Sequence, residues 1–169
     1  YQAYTVNAVH SGFVQILAAE QTLMATDWYQ GTADAVRKQL IEIRSARVPF
    51  VLILAGDHLY RMDYSEMVNF HWAHKADVTV AVQPVTREAA PRLGLLKLGE
   101  DDQIIRFAEK PGDEALLAEM ACREDKDKPY YGSMGIYFFN IDVLLDLLDK
   151  TEYDDFGSDV IPVAVEKYK

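Results

Sequence analysis

Apolar residues fall in short blocks between polar turns, and the spacing within the blocks changes along the chain. Residues 13–18 (Phe-Val-Gln-Ile-Leu-Ala) follow Gly12 and read as a strand, and 27–31 read as a loop. Ala33, Val36, Leu40 and Ile43 then recur at helical spacing, with Arg37, Lys38, Glu42 and Arg44 on the other faces and Thr32 placed to cap the helix. Residues 50–55 are almost uninterruptedly apolar, as expected of a strand buried on both faces of a parallel sheet, and they stop at Gly56-Asp57-His58. A helix over 64–75 and a strand over 78–83, ended by Pro84, come next. Residues 95–98 and 104–108 bracket Gly99-Glu100-Asp101-Asp102 as a hairpin. Residues 113–122 predict a helix, 134–139 a strand, and Asn140 a cap for a helix over 141–149. Ser158 or Asp159 opens a last helix.

Strands alternating with helices, interrupted by one hairpin, predict an α/β sandwich around a mixed, mostly parallel sheet. The chain has 169 residues, no internal repeat and no long linker, which suits one domain. Half of the residues are apolar and 26% are charged, an ordinary globular balance that excludes disordered, collagen-like and coiled-coil chains. No apolar run approaches the ~20 residues that span a bilayer, so a membrane partner is not expected. The opening Tyr1-Gln2-Ala3-Tyr4 has neither the basic nor the apolar region of a signal peptide, and no initiator Met.

The net charge is −10, and the 17 basic residues are scattered, so the footprint of a nucleic-acid binder is missing. An acidic chain can still take an anionic substrate where a local cation or a divalent metal inverts the field. Cys122 is the sole cysteine, which excludes an intrachain disulfide or a cysteine zinc site and fits a reducing compartment. The signatures Gly-x-Ser-x-Gly, Gly-x-Gly-x-x-Gly and Gly-Lys-Ser/Thr are absent, which argues against a serine hydrolase, a standard dinucleotide-binding dehydrogenase and a P-loop NTPase.

In open α/β sheets, ligands bind beyond the carboxyl ends of the strands, so the residues that leave each strand matter most. Asp57, after Gly56, is either a turn residue satisfying backbone amides or a carboxylate holding Mg²⁺ against a phosphate. Lys110, in Glu109-Lys110-Pro111, is either half of a solvated ion pair or a point charge for a phosphate. The Gly31-Thr32 turn at a helix start is either a plain cap or a place where free N–H groups meet an anion or a base edge. Small residues around Gly132-Ser133 form a tight turn or allow a substrate close to the backbone. Asp155 is a second metal carboxylate or a helix cap. His71 and His74, with Asp77, have metal-like spacing but no fourth ligand, and read better as a packed or solvated helix face.

Together these segments say more than any one does. Residues 28–35 (Trp-Tyr-Gln-Gly-Thr-Ala-Asp-Ala), then 54–64 (Leu-Ala-Gly-Asp-His-Leu-Tyr-Arg-Met-Asp-Tyr), then Phe107-Ala108-Glu109-Lys110-Pro111, then Ser133-Met134-Gly135-Ile136-Tyr137, then Asp155-Phe156-Gly157 occur in one order. From about Tyr4 to Pro162 the chain resembles the glucose-1-phosphate adenylyltransferases (ADP-glucose pyrophosphorylases) of the sugar nucleotidyltransferase superfamily. The resemblance implies a Rossmann-like nucleotide-diphospho-sugar transferase fold and the reaction of ATP with glucose 1-phosphate to give ADP-glucose and pyrophosphate, for glycogen or starch synthesis. Position by position, it implies Asp57 and Asp155 as Mg²⁺ ligands, with Asp57 and Lys110 carrying the catalysis. It implies Tyr29, Gly94, Glu109, Lys110 and Ser133 at the sugar phosphate, and Gln30, Gly31 and Thr32 in the segment lining the nucleotide side. It further implies an allosteric homo- or hetero-tetramer in a bacterial cytoplasm or a plastid.

Family members open with a Gly-rich, Arg-containing loop that cradles the triphosphate and end in a left-handed β-helix. The resemblance therefore places this chain in the central part of the catalytic domain, incomplete for activity alone. Gly132 stands where Ala is common in the family. No nucleophilic Ser or Cys is needed, because a phosphate oxygen attacks the α-phosphorus directly and catalysis rests on positioning and charge neutralisation. The competing readings are a uridylyl-, thymidylyl- or guanylyltransferase, a catalytically silent regulatory subunit, and a plain α/β binding domain. Retention of Asp57, Lys110 and Asp155 speaks against a silent subunit.

Overall fold

The computed structural model describes residues 3–5, 12–17, 28–56 and 60–169. A small antiparallel pair, β1 (Ala3–Thr5) with β2 (Phe13–Gln15), precedes the main body. The main sheet has five strands: β3 (Phe50–Leu54), β4 (Val78–Val85), β5 (Leu95–Leu98), β6 (Ile104–Ala108) and β7 (Tyr130–Asn140). Its helices are α1 (Thr32–Arg37), α2 (Leu40–Ser45), α3 (Tyr64–His74), α4 (Glu114–Met120), α5 (Ile141–Leu148) and α6 (Ile161–Lys167).

β7 organises the sheet. β4 runs antiparallel along one side of it, from Val78↔Phe139 to Val85↔Tyr130. The other side is shared: β3 pairs with the later half (Phe50↔Asn140 to Leu54↔Ile136) and β5 with the earlier half (Leu95↔Gly132, Leu96↔Tyr131). β6 completes the sheet against β5. Between the two halves the register slips: Val80 faces Tyr137, yet Val82 already faces Ser133, and Gly135 sits in the bulge at φ 67°. β3 and β5 therefore end beside one another on the same flank of β7, and residues 133–135 of β7 pair with neither of them; this strand-end gap is the crevice.

The α/β class is as expected, but the mostly parallel sheet is not. Every bonded strand pair described is antiparallel. β3 and β4 run in the same direction, but β7 lies between them, and an apolar run cannot reveal which strand will be its neighbour. Pro84 does not end β4 either; the strand continues to Val85. β4 bonds to β7 alone among the described strands, and an edge strand tolerates the missing N–H of a proline.

Alternation along β7 builds two cores, as the period of a strand requires. Tyr137 and Phe139 face Leu144, Leu147, Phe156 and Ile161, on the side of α1, α2, α5 and α6. Ile136 and Phe138 face Met67 of α3 and Ala81 of β4. Each such fully buried large apolar side chain contributes about 1.5–3 kcal/mol. A third cluster packs α4 on β5 through Leu95, Leu117, Met120 and Tyr130.

Helix ends depart from expectation for local reasons. The helix expected from 33 is two, α1 and α2, broken where Gln39 leaves helical geometry (φ −106°, ψ 11°). Gly31, not Thr32, is the cap position of α1. Asn140 stands at the cap of α5 without bonding its amides, because its side chain is turned to Ala76, Asp77 and buried His71. The other ring nitrogen of His71 meets the Thr79 hydroxyl at 2.8 Å, so His71 pins α3 to the sheet, while His74 bonds the Phe70 carbonyl. The histidine pair is structural. Asp113 caps α4 by accepting from the Leu116 amide, and Lys75 ends α3 in the left-handed conformation.

Candidate active site

The crevice between β3 and β5 collects residues from four stretches of chain. Gly94, just before β5, accepts through its carbonyl from the Ser133 amide at 2.7 Å. The Lys110 amide donates to the Leu93 carbonyl at 3.2 Å, which brings the end of β6 to the same place. Lys110 holds a left-handed backbone, φ 43°, unusual for a residue with a side chain. Its ammonium lies 3.3 Å from Glu109 Oε1 and is two-thirds exposed, whereas Glu109 is mostly covered. The fourth stretch is Asp154-Asp155-Phe156-Gly157, which leads through a π-turn (Phe156–Val160) into α6.

Glu109 lies close against two glycines. A Cβ on Gly94 would lie 2.8 Å from its Oε2, and a Cβ on Gly157 would lie 2.7 Å from the same atom. Only hydrogen at those two positions leaves room for the carboxylate. Tyr137 of β7 is buried, and its phenol oxygen accepts from the Ser133 side chain. Burial pushes its phenol above the ordinary tyrosine range; the Ser133 bond opposes that, and the charges of Glu109 and Asp155 add to it. The phenol therefore keeps its proton.

Asp155 is anchored on both oxygens. Oδ1 accepts from the Gly157 amide at 2.8 Å and the Ser158 amide at 3.2 Å, capping the turn. Oδ2 accepts from the Thr32 hydroxyl at 2.9 Å, and the Phe156 amide donates to that hydroxyl at 3.0 Å. Asp159 supports the same stretch by accepting from the amides of Asp154 and Asp155; the Asp155 bond is the main reason that its carboxyl lies below the usual range.

The start of α1 is likewise built around this stretch. The Ala33 and Asp34 amides donate to the Asp154 carbonyl at 2.8 and 3.1 Å, and a Cβ on Gly31 would lie 2.3 Å from that oxygen. The Ala33 and Asp34 amides at this helix start are thus taken up by the chain itself. Arg37 reaches the Tyr153 carbonyl and pairs with buried Asp34 at 2.7 Å.

The structure thus brings together Gly94, Glu109, Lys110, Ser133 and Asp155, with Thr32 bonded to Asp155. Tyr29 and Gln30 have other partners: the Tyr29 hydroxyl accepts from Gln39 at 3.0 Å with Lys38 over its ring, and the Gln30 side chain donates to the Trp28 carbonyl. Asp57 and His58 lie outside the described residues, as do Ala18 and Asp27 from the expected first strand and loop. Two contributors escaped the sequence reading. Tyr137 looks like any aromatic of a buried strand, and the burial that raises its pKa is invisible in one dimension. Gly157 had a signal in its place two residues beyond Asp155, but nothing in the sequence says that Glu109 will press on it.

Among the described residues no three His, Cys, Asp or Glu side chains cluster as a ready-made metal cage. A hard oxygen site of one or two carboxylates completed by substrate phosphates is the arrangement that suits Mg²⁺, and partly exposed Asp155 fits it. A cavity of about 820 Å³ lies elsewhere, along β4 between α3 and α6; Glu109, Ser133 and Asp155 are not among its walls.

An α/β domain with a lysine, two carboxylates and small residues gathered at a strand-end crevice has the make-up of a phosphate-handling transferase rather than a hydrolase with its own nucleophile. The chain belongs to the nucleotidyl transferase family, whose model matches residues 2–169. It is also similar to the glucose-1-phosphate adenylyltransferase small subunit, chloroplastic/amyloplastic, of Triticum aestivum, at 46% identity over 165 residues. That match covers 92% of this chain and 35% of the wheat protein, so the chain spans about a third of this relative. No described helix is long and apolar enough to cross a membrane.

Proposed function

We propose that the protein transfers the adenylyl group of ATP to glucose 1-phosphate, giving ADP-glucose and pyrophosphate. The observation that carries this reading is the convergence of Gly94, Glu109, Lys110 and Ser133 at one crevice beside Asp155. They come from separate parts of the chain, and all match sugar-phosphate or metal positions of the resemblance. The similarity to a wheat adenylyltransferase supports the choice of nucleotide and sugar, and its plastid designation supports a role in starch synthesis there.

In the reaction a phosphate oxygen of glucose 1-phosphate forms a bond to the α-phosphorus of ATP as the bond from that phosphorus to the departing pyrophosphate oxygen breaks. No side chain is modified. Lys110 sets its ammonium against the sugar phosphate, fixed at its backbone by the bond to Leu93. Glu109, set against Gly94 and Gly157, accepts from sugar hydroxyls. Ser133, tied to Gly94 through its amide, and the protonated Tyr137 phenol make up the uncharged part of the same site. Asp155, with Asp57, would hold Mg²⁺, which when bound neutralises phosphate charge and favours departure of pyrophosphate. Because the reactants supply the bonds made and broken, the protein's contribution is alignment and charge.

The test is pyrophosphate release by the full-length protein that carries this chain, with Mg²⁺, over a matrix of ATP, UTP, dTTP and GTP against glucose 1-phosphate and other sugar 1-phosphates. ATP with glucose 1-phosphate should give the highest kcat/KM. A preference for another nucleotide would replace the adenylyl reading, and turnover unaffected by Lys110→Ala would remove the crevice from it.

A further inference from the structure

The resemblance places Thr32 in a segment lining the nucleotide side; the geometry points instead to Thr32 as a positioning residue that aims the Asp155 carboxylate. This rests on the proposed role of the crevice and adds a residue to its machinery. Three observations on the page carry it.

The first is the polarity of the Thr32 hydroxyl. A hydroxyl has one proton and two lone pairs. The Phe156 amide, which can only donate, takes a lone pair of Thr32 Oγ1 at 3.0 Å. The hydroxyl proton then points at Asp155 Oδ2, 2.9 Å away. One side chain thereby fixes the backbone just after Asp155 and the outer oxygen of Asp155 together.

The second is the division of labour on the carboxylate. Oδ1 is committed to the Gly157 and Ser158 amides. Those bonds hold the group at one end, and the plane of the carboxylate is set only when Oδ2 is held as well. Among the described residues, Thr32 is the side-chain donor that reaches Oδ2.

The third is that the start of α1 is devoted to the same stretch. The Ala33 and Asp34 amides close on the Asp154 carbonyl, Gly31 clears the space for that approach, and Arg37 holds the Tyr153 carbonyl. Every contact described for the Thr32 hydroxyl and for these amides runs to residues 153–156. A hydroxyl used in this way acts through Asp155 and not on the nucleotide.

A double-mutant cycle in the active protein separates the two roles. Thr32→Val keeps the shape and removes the hydroxyl; Thr32→Ser keeps the hydroxyl; Asp155→Asn disables the partner. Thr32→Val should lower kcat by about tenfold, the low end for a bond to a charged group because water reaches the pair, with the KM for ATP nearly unchanged. Thr32→Ser should restore most of that loss. In the Asp155→Asn background Thr32→Val should do almost nothing further. Binding of Mn²⁺ to the ADP-glucose complex, followed by electron paramagnetic resonance, should weaken in Thr32→Val and not weaken again when it is added to Asp155→Asn. Should the valine impair folding, Thr32→Ala removes the same hydroxyl with the best helix former and should give the same kcat loss.

Additive losses, a raised KM for ATP, or a serine variant no better than valine would overturn the inference and return Thr32 to the nucleotide. So would a silent Thr32→Val or Thr32→Ala beside a damaged Asp155→Asn. A protein that prefers another nucleotide would sink the adenylyl reading alone, with the cycle read on that nucleotide. An Asp155→Asn protein as active as wild type would sink both the site and this inference.

Discussion

The Glu109 carboxylate presses on Gly157 so closely that a Cβ there would lie 2.7 Å from Oε2, although 48 positions of sequence separate the two residues. The glycine is the seat of the carboxylate, and Asp155 Oδ1 borders the same point at 3.2 Å. Gly157→Ala must therefore displace Glu109, since a methyl cannot share that space. The KM for glucose 1-phosphate should rise about tenfold or more, the scale of losing one charge-assisted bond, with the KM for ATP little changed. Steady-state kinetics with each substrate varied in turn checks this, and an unchanged sugar-phosphate KM would show that Glu109 is not held for the sugar.

Lys110 combines a functional charge with a left-handed backbone at φ 43°. Two substitutions separate these properties. Lys110→Ala and Lys110→Gly should both raise the KM for glucose 1-phosphate roughly ten- to a hundredfold, because each removes the ammonium. Only the glycine relieves the backbone, by about 1–2 kcal/mol, so its Tm should exceed that of the alanine variant by a few degrees. Equal Tm values would mean that the left-handed backbone carries no strain, and equal effects on the KM values for ATP and sugar phosphate would point away from a sugar-phosphate contact.

The sequence was most legible where a local signal and the tertiary structure agree. The hairpin around Gly99 and the helix Tyr64–His74 are both written in residue order. Strand adjacency was not. The apolar run Phe50–Leu54 suits a parallel or an antiparallel neighbour equally, and the antiparallel outcome follows from β7 inserting between β3 and β4. The long β7 was seen only over its apolar half, because Tyr131-Gly132-Ser133 reads as a turn until Gly135 is known to sit in a bulge. Thr32 has the chemistry of a helix cap, yet its hydroxyl serves residues more than 120 positions away, a partner no local pattern can name.

Asp57 and Asp155 are proposed to share one cation, so their substitutions should behave alike. Asp57→Asn and Asp155→Asn should each lower kcat far more than they change affinity for glucose 1-phosphate, and each should raise the Mg²⁺ concentration needed for half-maximal rate. Rates titrated with Mg²⁺ at saturating substrates, alongside equilibrium binding of glucose 1-phosphate, check both. An Asp57→Asn variant with wild-type kcat and Mg²⁺ dependence would remove Asp57 from the metal site.

Asp34 supplies a test of the support beneath the site. It is almost fully buried, at 3% exposure, and joins Arg37, Lys38 and the Gln30 amide. Burial works against its charge, but the hydrogen bonds from Lys38 and Gln30 and the charges of Lys38 and Arg37 outweigh it, so its carboxyl lies below the ordinary 3.8. A carboxyl with a depressed folded-state pKa stabilises the fold above the unfolded value, and that contribution is lost as the pH falls through the folded one. Asp34→Asn should therefore cost about 1–2 kcal/mol at pH 7, allowing for the partial exposure of Lys38, and lower Tm by roughly 3–6 °C. The gap between wild type and variant should hold from pH 7 down to about pH 5, narrow as the pH falls past the ordinary 3.8, and close only as it passes through the lower folded-state value, where the wild-type carboxyl becomes neutral. Calorimetry across that range checks the sign. A gap that stayed constant down to pH 3 would show that the Asp34 charge does not hold α1, and with it Thr32, against the Asp155 stretch.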